Sequence, residues 1–163
     1  MARDEEGAIP AVELIAALAK LDLEAALAYE AAADFASEED ELVRTFREFA
    51  REHRAHLEAL NETLESEGEP AVGTDPGSGS KSGGAIAALL RLTSPLGREI
   101  VVVTVLGAEQ LTNLAYDAAL SYDWDEETGA MLRRFQEHEE RHVSWLASEH
   151  GRLGLSHEPP PAA

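Results

Sequence analysis

The segment Leu-Ala-Tyr-Glu-Ala-Ala at positions 27–32 returns as Leu-Ala-Tyr-Asp-Ala-Ala at positions 114–119. One further segment also occurs twice in the same order, as Phe49-x3-His53-x2-His56 after the first copy and as Phe135-x3-Glu139-x2-His142 after the second. A repeat of two segments in a fixed order indicates one supersecondary unit that occurs twice. The sequence therefore predicts two similar halves, each built from a first and a second helix.

The composition favours an all-α fold. The chain has 163 residues, of which 44% are hydrophobic but only 6% aromatic. Ala and Leu dominate the apolar residues, and both favour helix over strand. This length and apolar content suit one folded domain, so the high charge does not imply disorder.

Helix start and stop signals divide the chain into four long helices. Pro10 suits a first helical turn, Ser37 reads as an N-cap, and Ser94-Pro95 reads as an N-cap followed by the first helical position. Asp123 or Asp125 can cap the last helix, and Gly151 suits a helix end. The predicted helices span residues 10–35, 38–66, 95–121 and 125–150.

A long connection, residues 67–94, joins the two predicted hairpins. Residues 67–84 are rich in Gly, Ser and Pro and are predicted to be flexible, whereas residues 85–92 are predicted to form a short helix. About 12 extended residues span a helix of roughly 40 Å, so the connection can cross the length of a bundle. We expect a four-helix bundle of two hairpins with one crossover, and a disordered tail at residues 156–163.

The charge and residue types exclude several kinds of function. With 32 acidic and 13 basic residues, the net charge of −19 repels nucleic acid and anionic lipid surfaces. No apolar run is long enough to span a bilayer, so a soluble cytoplasmic protein is expected. The chain contains no Cys, so a metal site must use nitrogen and oxygen ligands.

Six ligand-type side chains interrupt the apolar stripes of the predicted helices. Each half has one carboxylate on its first helix and a pair at i, i+3 on its second, and a rise of 1.5 Å per residue sets all of them at one depth. Buried polar groups are costly unless they find partners, which favours a shared centre. The six are Asp22, His53, His56, Glu109, Glu139 and His142.

At Glu139-Glu-Arg-His142-Val-Ser-Trp145-Leu146 the sequence resembles the ferritin-like di-metal carboxylate superfamily, which includes bacterioferritins and rubrerythrins. This resemblance covers the four long helices and implies that the six side chains hold two iron ions, with Mn or Zn as substitutes. It implies reaction with O2 or peroxide, as in a ferroxidase or oxidoreductase, and a homo-oligomer. Tyr29 and Tyr116 would contact the ligands, and an unidentified external donor would supply electrons.

Two positions depart from the family pattern and leave a second hypothesis open. Asp22 is shorter than the usual Glu, and His53 occupies a position where a bridging Glu is expected. A dinuclear, mononuclear or empty site therefore stays open, as does a metal-free bundle that acts as a structural or stress-associated interaction module. In that alternative the six groups hydrogen-bond one another across the core. The remaining histidines are interpreted as surface residues, namely His138, His150 and His157.

Overall fold

A computed structural model describes residues 9–34, 40–73 and 84–155, which contain five α-helices and no strand. The helices are α1 (Ala11–Ala33), α2 (Glu41–Ser66), α3 (Ala85–Thr93), α4 (Arg98–Leu120) and α5 (Glu126–Leu155). The predicted all-α class is confirmed. Among these helices, none combines the length and the apolar character that crossing a bilayer requires.

Four long helices surround one interior in antiparallel pairs. Helix α1 packs against α2, α3 and α4, and α4 also packs against α5. Between α2 and α5, His56 lies beside His138 and Phe49 beside Trp145, so these two helices run in opposite directions. Corresponding contacts make α1 antiparallel to α2 and α4 antiparallel to α5. Helices α1 and α5 therefore run one way, and α2 and α4 run the other way.

The apolar core consists of two clusters with a polar layer between them. One cluster includes Tyr29, Phe46 and Leu146, and the other includes Leu60 and Leu132. On each long helix, the predicted ligand-type residues lie between the residues that enter the first cluster and those that enter the second. The burial of both clusters fixes the helices on either side of the polar layer, because hydrophobic burial is the main stabilising term.

The first hairpin differs from the prediction at its turn. Helix α1 ends at Ala33 rather than at residue 35, and α2 begins at Glu41 rather than at residue 38. Asp40 is the N-cap of α2, since its carboxylate accepts a hydrogen bond from the Leu42 N–H at 2.9 Å. The predicted cap at Ser37 lies outside the described residues.

The start of α4 also differs from the prediction. Ser94–Leu96 forms a separate 3-10 turn that contains Pro95, and α4 begins at Arg98 instead of residue 95. Gly97 separates the two with φ +116°, a conformation that glycine adopts without the strain a Cβ brings. The helix ends at Leu120, one residue before the predicted end, while the short helix predicted at 85–92 is confirmed as Ala85–Thr93.

Helix α5 is longer than predicted. Asp125 caps its start as expected, because its carboxylate accepts a hydrogen bond from the Thr128 N–H at 2.9 Å. The predicted stop at Gly151 is wrong, since the helix continues to Leu155. Leu153 packs against the first apolar cluster, and this burial favours one further helical turn over a stop at glycine.

Part of the connection predicted to be flexible is attached to α2. The Val72 N–H donates to the Asn61 side-chain oxygen at 2.7 Å, and the Asn61 amide donates to the Val72 carbonyl at 3.0 Å. Val72 also packs against the second apolar cluster, so residues 69–73 follow the surface of the bundle. The predictions for residues 74–83 and for the tail at 156–163 lie outside the described residues.

Candidate metal centre

The structure brings all six predicted ligand-type side chains together in the polar layer. Each is exposed by no more than 1% of its surface. They form two donor groups, in each of which one possible ligand atom per residue lies within 4.8 Å of the others. The first donor group is Asp22, His53, His56 and Glu139, and the second donor group is His53, Glu109, Glu139 and His142. The two groups adjoin because His53 and Glu139 belong to both.

In the first donor group, Asp22 connects α1 to both histidines of α2. Its Oδ1 lies 2.8 Å from His53 Nδ1 and 3.1 Å from His56 Nδ1. Its Oδ2 accepts a hydrogen bond of 2.5 Å from the Tyr116 hydroxyl on α4. The shorter Asp side chain thus reaches the interior, and both of its oxygens have partners.

In the second donor group, Glu109 connects α4 to α5 and α2. Its Oε1 lies 2.6 Å from His142 Nδ1, and its Oε2 lies 3.4 Å from His53 Nε2. The two ring nitrogens of His53 therefore face different groups, with Nδ1 toward Asp22 and Nε2 toward Glu109. The Nε2 atom is buried and makes no hydrogen bond.

Glu139 lies at the junction of the two groups and lacks the partners that a buried carboxylate requires. Its Oε1 is 3.4 Å from His56 Nδ1 and 3.6 Å from His53 Nδ1, and both of its oxygens are buried without a hydrogen bond. Burial raises the pKa of Glu139 to about 7 against the opposing positive charge of His53. A buried polar atom without a partner is rare in proteins and is an indication of an ion or a function.

The other carboxylates and two histidines stabilise one another electrostatically. Burial raises the pKa of Asp22, but hydrogen bonds from His53 and His56 outweigh it and hold this pKa below its ordinary value. Burial likewise opposes ionisation of Glu109, whereas the positive charge of His53 and the hydrogen bond with His142 lower its pKa strongly. Burial lowers the pKa of His53, yet the charges of Glu109 and Glu139 hold it well above its ordinary value. Burial lowers the pKa of His56, but the hydrogen bond with Asp22, the contact with Glu139 and the negative charge of Asp22 together outweigh it, so this pKa is also raised.

The two predicted neighbouring tyrosines are both fully buried beside the centre. The Tyr116 hydroxyl donates to Asp22, as expected of a residue that orients a ligand. Tyr29 stacks on the His53 ring with centroids 5.5 Å apart, and its hydroxyl makes no hydrogen bond. Burial and the negative charge of Glu109 raise the Tyr29 pKa well above its ordinary value.

Two residues that the sequence analysis did not identify contact the outer nitrogens of two histidines. The Glu52 carboxylate lies 2.5 Å from His142 Nε2, and His138 Nδ1 lies 3.0 Å from His56 Nε2. His138 was interpreted as a surface residue, and this is wrong because it is half-buried against His56. No sequence signal separates Glu52 from its exposed acidic neighbours, since its role depends on which face of α2 meets α5. Neither donor group contains His150, and His157 lies outside the described residues.

No protein-family model, curated protein or solved structure matches this chain. The chemistry of the site therefore rests on its own donor atoms. Three carboxylates and three imidazoles in a buried layer are ligands suited to divalent first-row transition metals. The hydrogen-bond partners of the outer nitrogens leave Nδ1 of His56 and of His142 directed into the centre.

Proposed function

We propose that the chain is a divergent ferritin-like protein that binds two metal ions, with iron as the expected metal, and reacts with O2 or peroxide. The donor groups and the direction of the four long helices support this proposal. Each half of the molecule supplies one carboxylate from its first helix and two side chains at i, i+3 from its second helix. A bundle of this kind with two carboxylate-bearing hairpins is the arrangement that di-iron proteins use.

The observation that carries the proposal is the buried carboxylate of Glu139, neither oxygen of which accepts a hydrogen bond from the described residues. A charged group buried without a partner costs several kcal/mol, unless a cation or a hydrogen-bond donor compensates for it. Glu139 has two oxygens that accept no hydrogen bond from the described residues and it belongs to both donor groups, so it would help to hold both cations. Among the described residues His53 Nε2 makes no hydrogen bond and lies 3.4 Å from the Glu109 carboxylate, so a metal that displaced its proton would gain a further ligand there.

Each of the two ions would be held by residues of a different donor group. Asp22 and His56 belong only to the first donor group, and Glu109 and His142 belong only to the second. Glu52 and His138 orient the imidazoles of His142 and His56 through contacts at their outer Nε2 atoms. For His142 the partner is a carboxylate, which can only accept, so Nε2 carries the proton and Nδ1 is the nitrogen available to a metal. The Tyr116 hydroxyl fixes the Asp22 carboxylate by donating a hydrogen bond to its Oδ2 atom.

If these residues held Fe(II), it would supply the electrons that reduce O2 or peroxide. Because the described chain provides no redox group of its own beyond the tyrosines, an external donor would return the iron to Fe(II) between turnovers. The apolar clusters above and below the polar layer exclude water from the centre and strengthen each electrostatic contact in it. By simple affinity Zn competes with Fe(II) for these ligands, and Mn is a weaker competitor.

A second function is supported by the short contacts between histidines and carboxylates. His53 with Asp22 and His142 with Glu109 form pairs of 2.8 and 2.6 Å that need no metal. In that case the protein is a metal-free bundle that acts as a structural or stress-associated interaction module. The free oxygens of Glu139 favour the metal-binding function, because a closed hydrogen-bond network would include them.

The test is the metal content per chain by elemental analysis, after anaerobic loading with Fe(II) and desalting. We expect near two irons per chain for the wild type and a loss of iron from Glu139→Ala combined with His142→Ala. Oxygen consumption after addition of Fe(II) should follow the metal content. The matched control is Glu137→Ala combined with His150→Ala, which changes the same residue types on α5 outside both donor groups.

Three results are informative. Two irons per chain in the wild type and the control, but not in the variant, support the proposal. One iron per chain means that His53 does not replace the bridging carboxylate of the family pattern and that the site is mononuclear. If the wild type binds no iron and the Glu139→Ala, His142→Ala variant differs from it chiefly by lower stability, metal binding is contradicted and the metal-free network is supported.

A further inference from the structure

The outer face of α4 is apolar and exposed, on the side of the helix opposite to Glu109. We define the α4 stripe as Ile100, Val103, Gly107, Leu111 and Leu114, which recur at helical spacing on one face. Leu111 and Leu114 are 64% and 62% exposed, and Val103 is 42% exposed. Between residues 100 and 116 the only charged side chain is Glu109, which is buried. An uncharged helix face is unusual in a chain of which 28% is charged, and depletion of charge is typical of an interface core.

Gly107, at the centre of the α4 stripe, has no explanation within the chain. Glycine in a helix interior costs roughly 1 kcal/mol relative to alanine. A Cβ at this position would meet no atom of residues 9–34, 40–73 or 84–155 within 4 Å, so no close contact in this part of the chain requires the glycine. A helix from another molecule that crosses α4 at this point would require it, since glycine lets two backbones approach closely.

The α4 stripe is symmetric about Gly107. Val103 and Leu111 lie four residues on either side of it, and Ile100 and Leu114 lie seven residues on either side. A two-fold axis through Gly107 therefore sets Val103 opposite Leu111 and Ile100 opposite Leu114 of an antiparallel copy of the same helix. This self-complementarity is what an isologous dimer interface requires. From this geometry we propose that two copies of the chain associate through antiparallel α4 helices that cross at Gly107.

The size and the charge of the surface fit a reversible dimer. The stripe is a single helix face whose most exposed apolar side chains are Val103, Leu111 and Leu114, so the contact between two copies would be small, as in weak and reversible interfaces. Each chain carries a net charge of −19, so repulsion between the copies opposes association. Added salt screens this repulsion and should strengthen the dimer, the reverse of its effect on an interface of ion pairs.

The orientation can be tested by disulfide formation, because the chain has no cysteine to interfere. Val103→Cys and Leu111→Cys, mixed as separate chains, place two thiols opposite each other across the antiparallel pair and leave Gly107 in place, so their Cα atoms can come within the roughly 4.4–6.8 Å that a disulfide spans. We expect the mixture to form a covalent dimer of two 17.6 kDa chains under mild oxidation, which neither variant forms alone. Ala118→Cys is the matched control on the same face, since an antiparallel crossing sets its two copies roughly 30 Å apart.

The association itself is measured by sedimentation of the full chain over a range of concentrations at low and high salt. We expect a dimer that salt strengthens and that Leu111→Glu with Leu114→Glu weakens at least tenfold, while the helical circular dichroism is unchanged. Leu92→Glu is the control, since Leu92 is exposed on α3 outside the stripe. A monomer at all concentrations overturns the proposal. So does a dimer that survives both glutamates, or one that cross-links through residue 118.

Discussion

Replacement of Glu139 by Gln should make the metal-free protein more stable at alkaline pH. The unfolded chain ionises this carboxyl at its ordinary pKa of 4.5, whereas burial raises the pKa to about 7 in the folded protein. A group with a raised folded-state pKa contributes stability that is fully present below pH 4.5 and is lost as the pH rises to about 7. At pH 8 the folded wild type therefore carries a desolvated charge that accepts no hydrogen bond from the described residues, and the glutamine variant does not.

The expected magnitude follows from this rise in pKa. A shift from 4.5 to about 7 corresponds to roughly 3 kcal/mol between the fully protonated and the fully ionised protein. Between pH 5 and pH 8, the gain in stability of Glu139→Gln over the wild type should grow by roughly 2–3 kcal/mol. At pH 5 the two proteins should differ little, because a protonated carboxyl and an amide are both neutral and similar in size.

The assay is urea unfolding followed by circular dichroism, with chelator present, at pH 5 and pH 8. Glu137→Gln is the matched control, since it removes the same charge from an exposed position on α5 and should show no such dependence on pH. An advantage of the glutamine variant that is equal at both pH values would refute the reasoning. Glu139 would then be neither desolvated nor unpaired. With metal bound, the order should reverse, because an amide carries no charge to balance the cations.

Three further changes have expected results. Glu52→Gln should lower metal affinity about 10- to 100-fold in equilibrium titrations, because the hydrogen bond that orients His142 is weakened. Tyr116→Phe should reduce the free energy of unfolding by roughly 1–3 kcal/mol in urea, because it removes the hydroxyl that donates to Asp22. Gly151→Ala should stabilise the protein by about 0.5–1 kcal/mol in thermal unfolding, since this position is helical and a Cβ there meets nothing within 4 Å.

Each of these changes has a contrasting control. Glu48→Gln alters an exposed carboxylate one turn before Glu52 and should leave metal affinity unchanged. Tyr122→Phe removes a hydroxyl from a tyrosine that is 38% exposed and should change stability by less than about 0.5 kcal/mol. Gly97→Ala should destabilise the protein by about 1–2 kcal/mol, because φ is +116° there. A loss of stability in Gly151→Ala would mean that α5 ends near residue 151 after all.

The internal repeat and the apolar stripes were enough to predict the helices and the six side chains of the polar layer. A helix has one period, so a polar residue within an apolar stripe must point into the interior. Its depth follows from the rise per residue, which is why Asp22 and Glu109 meet their partners on the following helices. Helix ends were predicted less well, because local effects compete with the simpler sequence signals. The hydrogen bond at Asp40 caps α2 instead of Ser37, and the backbone conformation of Gly97 delays α4 beyond Pro95. The burial of Leu153 extends α5 beyond Gly151.

What the sequence alone determined is the all-α class, the existence of two related halves and the identity of the buried polar groups, because these depend on local periodicity. Only the tertiary structure decided which atoms of those groups meet, since contacts between α2 and α5 depend on how separate helices pack. That packing sets Glu52 against His142 and His138 against His56, and it leaves Glu139 without a hydrogen bond among the described residues. It also exposes the uncharged face of α4. The symmetry of this face about Gly107 indicates an interface only because the opposite face of the helix is buried in the core.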